Sequence, residues 1–191
     1  DQRVELMSII FRLAGNPEYN MPVSQSPYAQ DVDKYFGKFR QHAAIKKAQE
    51  LRRTRGVGFD AVASMAVHIT DAVTLQEKMP LDPQPAELDQ RWRAEDARAF
   101  LELARQFVKE SDFASFAAEH RPVYTAAAIR MNEVLRRYDI RRWLDNYFGT
   151  RSQAKYDVIV GLLLGGANYG VHVHFPDGRE EISPCIGCAH F

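Results

Sequence analysis

Residues 156–183 read YDVIVGLLLGGANYGVHVHFPDGREEIS, and the fold turns on them because the spacing of apolar residues changes here. Upstream, apolar residues recur at helical spacing. From Tyr156 onward they run together or alternate, as strands require. The Val, Ile and Leu residues of 156–164 predict a buried strand, broken by Gly165-Gly166. A second strand is expected over 169–175. Pro176-Asp177-Gly178-Arg179 predicts a tight turn, since proline presets one dihedral and glycine accepts a positive one. Residues 180–183 should therefore return antiparallel.

Working outward, the first three-quarters of the chain predicts helix after helix. Val4, Met7, Ile10, Phe11 and Ala14 form one stripe, stopped by Gly15-Asn16-Pro17. Val32, Tyr35, Phe36 and Phe39 form the next, and Ile45, Ala48 and Leu51 continue until Arg55-Gly56-Val57-Gly58. A helix from about Asp60 should bury Val62, Met65, Ala66, Ile69 and Val73. The proline-rich residues 79–85 predict a mobile surface loop. Ala97, Phe100, Leu101, Ala104, Phe107 and Val108 form a strong amphipathic face, after which Ser111 is expected to cap a short successor. Tyr124, Ala127, Ala128, Met131, Val134, Leu135 and Tyr138 form another stripe, and Asp139 should cap a last helix ended by Gly149. All these stripes are expected to be core faces. The fold class is therefore α+β: helical over 1–150, then a small antiparallel sheet over 153–186, either one domain over 1–191 or the first portion of a larger one.

The 191 residues carry 25 basic and 25 acidic side chains, so the formal net charge is zero and nothing advertises a nucleic-acid partner. The longest apolar run, around Val158 to Leu164, is far short of the ~20 residues that span a bilayer. There is no G-x-S-x-G, and the glycine-rich 161–170 lacks the Lys-Ser/Thr of a phosphate loop. His42, His68 and His120 lie on predicted helices, far apart, where surface or half-buried histidines are the ordinary case. Arg52, Arg53 and Arg55, like Arg136, Arg137, Arg141 and Arg142, read as solvated basic faces.

The chemistry-bearing residues gather at the end. Along the second strand Asn168, Gly170, His172 and His174 share one face, and Tyr169, Val171, Val173 and Phe175 the other. Two histidines two apart on a strand can bind zinc, and Cys185, Cys188 and His190 offer further ligands just beyond the returning strand. The same pattern also describes a hairpin with a polar face. For Cys185 and Cys188 a local disulfide or free thiols are the other readings; thioredoxin-type chemistry lacks the helix that would lower a thiol pKa.

The stretches VELMSIIFRLAG, DVDKYFGKFRQHAAIKKAQELR, FLELARQFVKESDFASFAAEHRPVY and YDVIVGLLLGGANYG resemble the front part of a bacterial family of unassigned function, a domain of unknown function whose full-length members, many of them exported, resemble zinc metallopeptidases. In that family an H-E-x-x-H helix lies beyond the Asn-Tyr-Gly stretch. The resemblance implies a hydrolase scaffold, a periplasmic or secreted location, zinc held by residues beyond this chain, and a peptide or protein substrate lying along Asn168, Tyr169, Gly170, His172 and His174. No H-E-x-x-H occurs in residues 1–191, so no catalytic residue carries over. The alternative is a non-catalytic binding domain, holding a metal through His172, His174, Cys185, Cys188 and His190.

Overall fold

A computed structural model describes residues 1–21, 26–149 and 154–188. Among them are eight α-helices followed by four strands, the α+β arrangement expected from the change of period.

Helix α1 (Gln2–Leu13) starts where the Asp1 carboxylate accepts from the Arg3 amide at 2.9 Å. It is central: every residue from Val4 to Leu13 is buried, with α2 (Pro27–Phe36), α3 (Ala43–Arg55) and α4 (Asp60–His68) packed around it. Surrounded on all sides, its polar side chains must find partners inside. Ser8 Oγ donates to Val4 O at 2.7 Å. Arg12 spans the Asp33 carboxylate at 3.1 and 2.6 Å.

Local chemistry sets the ends of the other helices. Ser26 and Pro27 start α2, and Ser26 Oγ accepts from the Ala29 amide. His42 Nδ1 caps α3 by accepting from the Ala44 amide at 3.0 Å, and Gly56 closes it at φ +71°, a conformation that costs glycine nothing. Helix α4 ends sooner than its apolar period suggests. Asp71 accepts from the amides of Val73 and Thr74 at 2.7 Å each, turning the chain, so Ile69 instead bridges to Glu77 and Val73 is exposed. Helix α5 (Ala94–Ser111) buries the expected face. Its successor α6 (Phe113–Glu119) is capped by Asp112 rather than Ser111, which closes α5.

The expected core stripe of α7 (Arg121–Tyr138) is the main helical correction. Only Ala127 is fully buried, and Val134 and Tyr138 are 46% and 62% exposed. Apolar spacing shows that a face is amphipathic without showing what lies over it. Here the α7 face, with the start of α8 (Ile140–Phe148), makes one wall of an open apolar groove of about 650 Å³; Val160, Pro184 and Ile186 make the other.

Residues 79–85, expected as a mobile surface loop, pack onto the core through fully buried Leu81. Leu88 and Trp92 extend that anchoring beyond the loop.

The sheet is mixed, not antiparallel. Strands β1 (Ala154–Tyr156) and β2 (Ile159–Gly161) both run parallel to β4 (Glu180–Gly187). Their pairings Ala154↔Glu180 and Ile159↔Cys185 keep one register, so they are two halves of an interrupted strand on one edge of β4. Strand β3 (Asn168–His174) lies antiparallel on the other edge. The turn after Phe175, with Gly178 at φ +85°, forms as the sequence predicts, but β4 then inserts between β2 and β3. Alternation identifies a strand; it does not identify its neighbours.

Gly187 closes this insertion. A Cβ there would sit 2.2 Å from Gly165 O and 2.7 Å from Ala167 O, while the Gly187 amide donates to Ala167 O at 2.9 Å. Gly187→Ala is expected to destabilise the protein by about 1–3 kcal/mol, read as a lower urea midpoint at unchanged slope.

Candidate functional site

Strand β3 is an edge: among the described residues it pairs only with β4. The Phe175 amide donates across the hairpin to Arg179 O at 2.9 Å, and Ala167 O accepts from Gly187. Backbone groups alternate along an antiparallel strand. The N–H and C=O groups of Asn168, Gly170, His172 and His174 therefore point away from β4, toward the open edge. Asn168, Gly170 and His174 are exposed and His172 is half-buried. An open trough of about 610 Å³ lies between His172 and residues 86–91.

The two imidazoles share the face that the alternation predicts, with ring centroids 5.2 Å apart. What they meet is Glu87, a residue the sequence reading passed over. Glu87 Oε1 accepts from His174 Nδ1 at 2.7 Å, and Glu180 Oε1 lies 2.9 Å from His174 Nε2. Ligand atoms of Glu87, His172 and His174 all lie within 4.8 Å of one another. Burial pushes the Glu87 carboxyl up, but the hydrogen bond from His174 and the neighbouring imidazoles hold it below the ordinary range.

Glu87 is held from behind. Ser64 Oγ, on α4, donates to Glu87 O and accepts from the Asp89 amide, both at 3.1 Å. Leu88 and Trp92, which follow Glu87, are fully buried, and Trp92 Nε1 donates to Ala61 O at 2.7 Å. One turn below Ser64, His68 is buried completely, unlike the surface or half-buried histidine expected there. Its Nδ1 lies 2.8 Å from Ser64 O, which fixes Nδ1 as the donor and leaves Nε2 a bare lone pair without a partner among the described residues. Burial lowers the His68 pKa, with Glu87 and His172 near enough to influence it.

The other two helical histidines have structural work. His42 caps α3, and His120 stacks on Phe116 at 4.0 Å and hydrogen-bonds its carbonyl. Arg52 and Arg55, expected as a solvated face, pair with Glu18 and Asp96.

The cysteines do not join His172 and His174. Cys185 pairs in register with Tyr169, so both turn to the opposite face of the sheet. Cys185 is buried there, a free thiol pushed up by burial to about 12. Cys188 is also free and raised by burial, and His190 lies outside the described residues. Of the five-residue ligand set His172, His174, Cys185, Cys188 and His190, the sheet thus separates Cys185 from the two histidines. Tyr169 leaves the proposed substrate face as well: its hydroxyl is buried, and burial raises it to about 12. Sequence alternation separates Tyr169 from the histidines but carries no signal for Glu87, 87 residues before His174.

A second polar constellation lies beside the α7 groove. Buried Glu5 accepts from the Leu162 amide at 2.7 Å and from the Tyr28 hydroxyl at 3.2 Å; Tyr28 and Tyr124 hydroxyls are 2.8 Å apart, and Tyr124 lines the groove. No described helix is long and apolar enough to cross a membrane.

An α+β chain with a helical body and an exposed antiparallel edge strand is the class these observations define. The chain belongs to the family described as domain of unknown function DUF4932, whose sequence profile matches residues 1–189. No curated protein and no solved structure matches it.

Proposed function

We propose that this chain is the scaffold and substrate-strand portion of a zinc metallopeptidase, binding an extended peptide along β3. The observation that carries the reading is the open edge of β3, with the backbone groups of Asn168, Gly170, His172 and His174 turned outward beside the trough of residues 86–91. An extended peptide adds to such an edge as a further strand, and its main-chain hydrogen bonds give affinity that depends little on sequence. The resemblance of YDVIVGLLLGGANYG to a family with an H-E-x-x-H helix beyond this stretch supports the same reading.

The chemistry assigned to this chain is binding and orientation. Helix α4 and the central strand β4 pack against β3, so a scissile peptide meets a fixed template. Residues 1–191 contain no H-E-x-x-H and so do not fit the zinc ligands and general base of that motif.

Gly170 is the test position. Its amide faces outward and a Cβ there would meet nothing within 4 Å, so proline removes the edge donor without losing a β3–β4 hydrogen bond. Gly170→Pro is expected to weaken binding of short, capped, proline-free peptides by roughly tenfold, the equivalent of about 1.4 kcal/mol, with little change in melting temperature. Fluorescence anisotropy gives the affinity, and amide exchange should show new protection at Gly170 and His172 when peptide is bound. Binding that ignores Gly170→Pro, or leaves those amides unprotected, refutes the assignment.

A further inference from the structure

We propose that Glu87, His172 and His174 form a binding site for a single divalent transition-metal ion of the zinc class, distinct from any H-E-x-x-H centre. Two imidazole nitrogens and one carboxylate oxygen are the protein ligands of an open zinc site, in which the fourth position is left to water or a ligand. Their ligand atoms already lie within 4.8 Å of one another, so side-chain rotation alone brings them around one ion. The donor set contains no thiolate, because Cys185 lies on the opposite face of the sheet.

The supporting groups are also in place. A ligating histidine ordinarily gives its second ring N–H to a carboxylate, which fixes the tautomer and orients the ring. His174 has this arrangement: Nε2 lies 2.9 Å from Glu180 Oε1, leaving Nδ1 for the metal on the side of Glu87. In the metal-free protein a proton lies between His174 Nδ1 and Glu87 Oε1. Metal binding releases that proton to solvent, and the Nδ1 and Oε1 lone pairs coordinate the ion instead. Ser64 fixes the Glu87 backbone, and alternation along β3 fixes the two histidines.

The second, independent observation is His68. It is fully buried, donates through Nδ1 to Ser64 O, and keeps an unpartnered Nε2 among the described residues, within electrostatic influence of Glu87 and His172. A buried lone pair without a donor costs stability on its own. A water on the open position of a metal at Glu87, His172 and His174 would be a donor of the kind this lone pair lacks.

The site does not depend on the peptide reading, since none of its residues belongs to an H-E-x-x-H helix and its test uses no peptide. The chelator-treated chain is titrated calorimetrically with zinc chloride. The wild type is expected to bind about one equivalent. His172→Asn, His174→Asn and Glu87→Gln should each weaken binding at least tenfold, and Glu180→Gln, acting through His174, by about 10–100-fold. Cys185→Ser and Cys188→Ser should leave it unchanged. Circular dichroism melts identify any variant that fails to fold. Cobalt(II) bound to the unmodified protein gives an answer that needs no variant: visible d–d bands without a thiolate charge-transfer band fit this ligand set. Failure of the folded wild type to bind zinc, binding that survives loss of both histidines, or a thiolate band on cobalt overturns the proposal.

Discussion

Replacing Trp92 with alanine is expected to lower the unfolding free energy by about 3–5 kcal/mol, the range for a fully buried large aromatic. The indole is packed against Phe100 at 5.2 Å and edge-on to Phe11 at 6.3 Å, joining α5 to the central helix. Its Nε1 also ties the segment before α5 to Ala61 of α4. Removing it opens a cavity at that junction and frees the segment carrying Glu87. Trp92→Phe separates the two contributions. The ring body stays and the hydrogen bond goes, so the loss should fall to roughly 1–2 kcal/mol, the cost of one buried hydrogen bond plus a small void. Urea denaturation of both variants measures the difference. Equal losses would mean that the hydrogen bond, not the packing, holds this junction.

The second large effect depends on pH and comes from Glu5. Burial raises its carboxyl above the ordinary value near 4.5, and the Leu162 amide and Tyr28 hydroxyl, both donating to it, only partly counter that. The folded state therefore favours the neutral acid. Its stabilising contribution is complete below the unfolded value and is lost as pH rises toward the folded value, at up to about 1.4 kcal/mol per pH unit in that window. Glu5→Gln keeps an oxygen for the Leu162 amide and presents an N–H to Tyr28, without a charge. It should match the wild type near pH 4.5 and exceed it progressively toward pH 8. Thermal melts of both proteins across that range supply the comparison. Parallel curves would show that Glu5 does not titrate upward in the fold.

Much of the helical body was legible because local chemistry and apolar period agree there. Gly15-Asn16-Pro17, Gly56, Asp139 and the α5 face each act where the sequence places them. Other features depend on what lies across space. The stripe on α1 does not show that the helix is enclosed on every side, and the equally regular stripe on α7 does not show that it faces a groove. The hairpin could be read from its turn, but the insertion of β4 between β2 and β3 could not, because strand order has no local signature. The site divides in the same way. Alternation placed His172 and His174 together. Cys185 seemed their partner only because it is near in sequence, whereas Glu87 arrives from a distant segment anchored by Leu88 and Trp92.

The central position of β4 also constrains the order of assembly. Among the described residues, β1, β2 and β3 each pair with β4. The sheet is thus organised by the last of its four described strands to be synthesised. During synthesis the helices around α1 can consolidate on local contacts while residues 154–174 wait, apolar and unpaired. Such edges invite non-native pairing until residues 180–187 arrive. Folding of this sheet is a late closure, and the interval before it is when a chaperone has most to protect.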